Sequence, residues 1–311
     1  MINRVLLRIK VLHIVYSFYK GKQGSVNIAE REFLKSITKT YELYFYLLKL
    51  IVEVTHYAEI KIDTRRNRLN PTEFDLNPNT RFINNAFVKQ LSYNTEFQEF
   101  VSENKISWIN HQEIVKEIYE LIVNSELYEE YMSASETDYE KDKNIWKKIF
   151  KKIILTSDSF EKSIEDQDIY WVDNLDIIVS FVIKTIKNFD KENGAEQDLI
   201  PKFKNSEDLI FAKKLLRNCL ENKDEYQQLI SENAQNWDLD RIAFMDIIIM
   251  QLAIAELISF PTIPVNVTMN EYIEISKFYS TKKSATFING ILDKITKELK
   301  KENRLIKVVK I

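Results

Sequence analysis

Between Arg241 and Ile258 the chain reads R-I-A-F-M-D-I-I-I-M-Q-L-A-I-A-E-L-I, which as a helix is apolar on nearly every face. Its few polar side chains, Arg241, Asp246, Gln251 and Glu256, scatter around the axis instead of gathering on one side. Such a helix belongs at the centre of a bundle or in a membrane. Asp246, Gln251 and Glu256 interrupt the run, and Pro261 and Pro264 follow at once, which argues against a span. A core helix is expected here, with Asp238 as its N-cap. Four glycines and five prolines in 311 residues leave little material for the turns of a many-stranded sheet. The expected fold class is therefore all-α: helical bundles joined by polar loops.

Charge and chemistry narrow the function. A formal net charge of −3 argues against nucleic-acid binding by the whole surface, so any RNA contact must come from a local patch. The lone cysteine, Cys219, cannot form an intrachain disulfide, and the start M-I-N-R-V-L-L-R-I-K lacks a signal-peptide cleavage site; a cytoplasmic protein is expected. Gly-rich phosphate loops and the G-x-S-x-G motif are missing from the sequence. The histidines His13, His56 and His111 lie far apart without metal-ligand spacing, and Cys219 falls in the apolar stripe of Leu209, Ala212, Leu215 and Leu216. The chain is read as no enzyme, with no cofactor and no metal.

Taken in order, Ile2–Lys20 is expected as a helix ended by Gly21 and Gly24, with Arg4 and Arg8 one turn apart. Those two arginines suit either a solvated helix end or phosphate contact. A long aromatic-rich helix follows over Glu30–Ile62, then a loop over Asp63–Thr80 carrying Arg65, Arg66 and Arg68. Further helices are expected over about 81–103, 109–132, 139–155 and 173–190. After Ser206 come an apolar-striped helix, a short one near Glu225–Asn233, the core helix, one near Val267–Tyr279, and a last one over Ala285–Lys300. Gly290 inside that last helix costs about 1 kcal/mol relative to Ala, and close approach of a neighbouring helix would offset it.

The segment S-T-K-K-S-A-T-F runs into that last helix. Ser284 is expected to cap it, with Lys282 and Lys283 beside an N-terminus whose N–H groups and positive dipole suit a phosphate. Phe287 in the first turn is either a core residue or a platform for an unpaired base. Asp246, an ionised group among apolar neighbours, must pair within the chain, with Arg241 or a lysine, or face a cationic partner.

Three stretches carry a family resemblance: W-D-L-D-R-I…A-E-L, I-P-V-N-V-T-M-N-E-Y-I-E-I-S-K and F-I-N-G-I-L-D-K-I. They resemble the C-terminal half of the NusB family, and R-I-K-V-L-H-I-V-Y-S-F-Y resembles its basic first helix. The family is all-helical and its members are RNA-binding antitermination factors acting with ribosomal protein S10. The resemblance implies RNA contact at Arg4, Arg8, Lys282, Lys283, Ser284 and Phe287, and an S10-facing surface at Tyr16, Asp240 and Asp246. Here Val5, Leu6 and Leu7 interrupt the basic start.

The chain thus reads as an enlarged NusB-type protein. Residues 1–22 supply its first helix, 23–200 an inserted helical region or in part a diverged duplicate, 201–300 the rest of the core, and 301–311 a basic tail. It would bind single-stranded leader RNA of rRNA operons with S10 and act on RNA polymerase within the antitermination complex. The alternative is a helical interaction module of the same fold that has lost RNA binding. A fused RNA methyltransferase would need a Gly-rich turn that the intervening region lacks. The choice between monomer and homodimer stays open. The arrangement expected is that both chain ends pack together, bringing the basic first turn and the Ser284 helix entrance onto one face.

Overall fold

The computed structural model describes residues 2–21, 24–136, 138–172, 174–203, 205–234 and 242–308. In chain order the helices are α1 (Arg4–Lys20), α2 (Val26–Arg66), α3 (Glu73–Leu76), α4 (Ala86–Tyr93), α5 (Thr95–Glu103), α6 (Gln112–Val123), α7 (Glu126–Ser133) and α8 (Tyr139–Lys152). They continue with α9 (Asp158–Gln167), α10 (Leu175–Asn188), α11 (Ser206–Glu221), α12 (Lys223–Asn233), α13 (Phe244–Ser259), α14 (Val265–Tyr279) and α15 (Ser284–Lys301). The fold is all-α, with an isolated parallel bridge between Ile2 and Phe203. Among the described residues no helix is long and apolar enough to cross a membrane.

The chain divides into two compact units, Thr38–Pro201 and the pair of segments Met1–Ile37 and Lys202–Ile311. α2 contributes to both, because no glycine or proline interrupts its 41 residues. In the Thr38–Pro201 unit that helix brings a dense aromatic set. Phe45 stacks on Phe100 at 3.8 Å, Tyr46 stacks on Trp108 at 4.0 Å, and the Trp108 indole N–H donates to the Tyr46 carbonyl at 3.0 Å. Two stretches expected as single helices are broken by side-chain caps. Asn94 accepts from the Phe97 N–H at 2.9 Å while its amide donates to the carbonyls of Ala195 and Gln197, which splits 81–103. Ser125 accepts from the Tyr128 N–H and likewise splits 109–132. The loop after α2 contains a short helix fixed by a Thr72–Asp75 capping box, and α9 occupies a segment that the sequence pattern left unassigned.

In the other unit α13 is the hub, packing against α1, α11, α12, α14 and α15. Leu252, Ala253, Ile254, Ala255 and Leu257 are all fully buried, as an apolar surface on every side demands. The expected cap Asp238 lies outside the described residues. α1 lies beside α11 and α13, started by Asn3, whose side chain accepts from the Leu6 N–H at 2.9 Å.

Arg8 corrects a sequence expectation. It is 3% exposed, and its guanidinium forks onto the Glu256 carboxylate with two hydrogen bonds of 2.7 Å. A third donor reaches Glu271 at 3.1 Å. Glu256, itself fully buried, also accepts from the Thr268 hydroxyl at 2.9 Å and the Tyr272 hydroxyl at 3.1 Å. Burial disfavours the Arg8 charge, but hydrogen bonding and attraction to Glu256 more than offset it, so its pKa rises. Arg8 is a core fixture and is inaccessible to a phosphate. Arg4 is part-exposed, bonded to Asp208 at 3.1 Å, with its guanidinium 5.0 Å from the Phe211 ring centre.

Gly290 is a second correction. A Cβ added there meets nothing within 4 Å, so no neighbouring helix presses on it. Glycine is then a plain entropic cost. Gly290→Ala should stabilise the fold by about 0.5–1 kcal/mol in urea unfolding. Glu256→Ala, which strands a buried guanidinium, should cost about 3–5 kcal/mol in the same assay. Cys219 is buried, and burial pushes its thiol up to about 12. Its alkylation at pH 8 should therefore wait for unfolding, to be read by mass spectrometry across a urea series.

Candidate nucleic-acid interface

α14 and α15 are antiparallel neighbours joined by Ser280–Lys283, and Asp246 in the first turn of α13 fixes that connection. Asp246 is 5% exposed. One of its oxygens accepts from the Ser280 hydroxyl and the other from the Ser284 hydroxyl at 2.8 Å. The Ser284 oxygen in turn accepts from the Thr281 N–H at 3.2 Å. Asp246 therefore satisfies its charge with neutral hydroxyls of its own chain. Neither a lysine nor a protein partner is needed there, and Arg241 lies outside the described residues.

Ser284 is not the cap expected of it. It is 1% exposed and is the first helical residue, while Lys283 takes the cap position without a side-chain hydrogen bond. The first turn of α15 thus keeps N–H groups that no capping side chain covers, and a positive dipole end. Lys282 and Lys283 are exposed beside it, and Phe287 is half-buried. Phe287 sits three residues after buried Ser284 and four before buried Ile291, at the margin of the α15 core stripe. Phe278 was missed by the sequence reading. It is 81% exposed in the last turn of α14, just before the lysine-bearing connection. Its signal was available, since it falls off the buried stripe of Thr268, Tyr272 and Ile275.

The expected union of Arg4, Arg8 and the α15 entrance on one face does not occur. Arg8 meets α13 at Glu256, whereas the entrance meets it at Asp246, about 15 Å away along the helix axis. The entrance neighbours the later half of α1, where His13 and Tyr279 rings meet edge-on at 5.1 Å. The chain ends do fold against each other; the helix directions put the two basic sites at opposite ends of α13. Tyr16 is 38% exposed, and its ring meets Phe244 edge-on at 5.7 Å. Lys20 stands 4.5 Å over the same Phe244 ring. Asp240 lies outside the described residues.

The anchoring of the entrance by Asp246 has a direct consequence. Asp246→Ala removes the acceptor of two hydroxyls, the buried one of Ser284 and the part-buried one of Ser280, and should cost about 2–3 kcal/mol of stability. Hydrogen exchange should show faster amide exchange over residues 281–287 than in the unaltered protein.

The NusB family model matches residues 175–297. A transcription antitermination protein NusB from Salinibacter ruber is 36% identical over 132 residues, covering 40% of this chain and 82% of the relative. The protein of the same name from Thermodesulfovibrio yellowstonii is 39% identical over 119 residues, covering 38% of this chain and 74% of the relative. That from Clostridium botulinum is 43% identical over 91 residues, covering 29% and 68%. On these sequence relationships, the chain belongs to the NusB family.

Proposed function

We propose that this protein is a transcription antitermination factor that binds single-stranded RNA at the entrance of α15. The observation that carries the reading is the pairing of an uncapped helix N-terminus with exposed Lys282 and Lys283 and half-buried Phe287. The N–H groups and the lysines suit a phosphate, and an aromatic edge suits an unstacked base. Ser284 and Asp246 hold the entrance in shape without touching the nucleic acid. Like its relatives, which are named as antitermination proteins, it would act on transcription. Its partners would be ribosomal protein S10, met at Tyr16 and Asp240, and RNA polymerase within the antitermination complex, on leader RNA of rRNA operons. The expected extension, 23–200, is met by the family match over 175–200, so the extension beyond the family core would be residues 23–174.

A second reading keeps the fold and the protein-partner surface without RNA binding. The burial of Arg8, the pairing of Arg4 with Asp208 and the net charge of −3 favour it.

The two readings separate in fluorescence anisotropy with an unstructured rRNA-leader oligonucleotide, with and without S10. Binding should weaken as salt rises. Lys283→Glu should flatten that dependence by about 0.7 in log–log slope, the value of one single-strand phosphate contact. Phe287→Ala should weaken binding about tenfold, from a stacking loss of about 1–3 kcal/mol. If neither variant differs from the unaltered protein, or no binding occurs at low salt, the second reading stands.

A further inference from the structure

The Thr38–Pro201 unit carries a cationic surface that the α15 entrance does not explain. Lys61, Arg65 and Arg66 lie in the last two turns of α2, and Arg68 follows in the turn beyond it. Among the described residues none of these four cations makes an ion-pair contact, although the Thr72 hydrogen bonds, helped by Arg68 and Arg65, hold the Asp75 carboxyl below its ordinary range. The adjacent acid Asp75 is engaged locally, accepting from the Thr72 N–H at 3.0 Å and the Thr72 hydroxyl at 2.8 Å. Asp63 and Glu73 are the other acids of the segment, so cations outnumber acids four to three.

Cations in a last helical turn complement the helix dipole, and that accounts for Arg65 and Arg66. It does not account for Arg68, nor for what lies next to it. Leu69 is fully exposed at 101%, Phe74 is 68% exposed and Leu76 is 53% exposed. Three large apolar side chains within eight residues, left uncovered beside arginines that make no ion-pair contact, mark a contact surface. A guanidinium binds phosphate through paired N–H donors and stacks on flat rings, and an exposed phenyl ring accepts an unstacked base. A purely acidic peptide would use the charges and leave the protruding aromatic ring uncovered.

We infer that the Arg65–Leu76 surface is a second contact for single-stranded RNA, carried by the part of the chain that lies outside the family core. The inference rests on the RNA reading above. It adds a second site within the Thr38–Pro201 unit, with the phosphate-binding part at Arg66 and Arg68 and the base-stacking part at Phe74.

The test uses the full chain and an unstructured single-stranded RNA of about 30 nucleotides, titrated by anisotropy across a potassium chloride series. The doubly substituted Arg66→Gln/Arg68→Gln protein should bind about tenfold more weakly at low salt. Its log–log salt slope should be shallower by about 1.4, for two phosphate contacts at about 0.7 each. Phe74→Ala should weaken binding with the slope unchanged. Circular dichroism melting checks that each variant folds, and Lys283→Glu is run in parallel. If Lys283→Glu weakens binding while the arginine and Phe74 variants bind as the unaltered protein does, the second contact is refuted and the α15 site stands. If the unaltered protein binds no RNA, both readings fall. If the arginine substitutions leave RNA affinity unchanged but abolish binding of an oligoglutamate probe, the surface takes an acidic protein and the inference is overturned.

Discussion

The buried pair of Arg8 and Glu256 is the interaction around which the unit of Met1–Ile37 and Lys202–Ile311 is arranged. It joins α1 to α13, and through Glu271, Thr268 and Tyr272 it also fixes α14. Burying two full charges is expensive, and a pair of this kind is tolerable only where every donor and acceptor is met. Here the carboxylate takes both arms of the guanidinium and two hydroxyls, so the geometry is nearly saturated. A slip of α1 by one turn would leave both charges stranded. The pair thus acts as a register pin for helices whose apolar surfaces alone would tolerate sliding.

The same logic runs along the whole of α13. Its three polar interruptions each serve a different neighbour. Asp246 holds the connection into α15, Gln251 donates to the Lys223 carbonyl at 3.3 Å at the start of α12, and Glu256 holds α1 and α14. These residues break an otherwise apolar helix and double as the fixtures that orient the bundle. The α15 entrance inherits its shape from this scheme. Asp246 is spent on two serine hydroxyls, which holds the lysine-bearing connection while its cations remain at the surface.

The Thr38–Pro201 unit is held differently. Its core is built from stacked rings on α2 and the helices around it, with indole and amide side chains bonding backbone carbonyls at the breaks. Large flat side chains bury much area and lock relative helix rotation. Against such a core, the uncovered Leu69, Phe74 and Leu76 stand out as surface the fold does not use for itself.

Helix content, the central place of α13, the burial of Cys219 and the family were legible in the sequence, because periodicity, glycine scarcity and motif spacing are local properties. Helix breaks at Asn94 and Ser125 were not, since a cap forms only when the chain around it satisfies the remaining groups. The candidate site was half legible: Lys282, Lys283 and Phe287 could be named from their helix entrance. Arg8 was misplaced although the signal existed, a cation set among the apolar residues of α1 and a carboxylate set among those of α13. Matching the two requires knowing that α1 and α13 touch and in which direction each runs. That direction also decides that the first turn of α1 and the entrance of α15 lie at opposite ends of α13. One-dimensional spacing fixes which face of a helix a residue occupies; only packing fixes what that face meets.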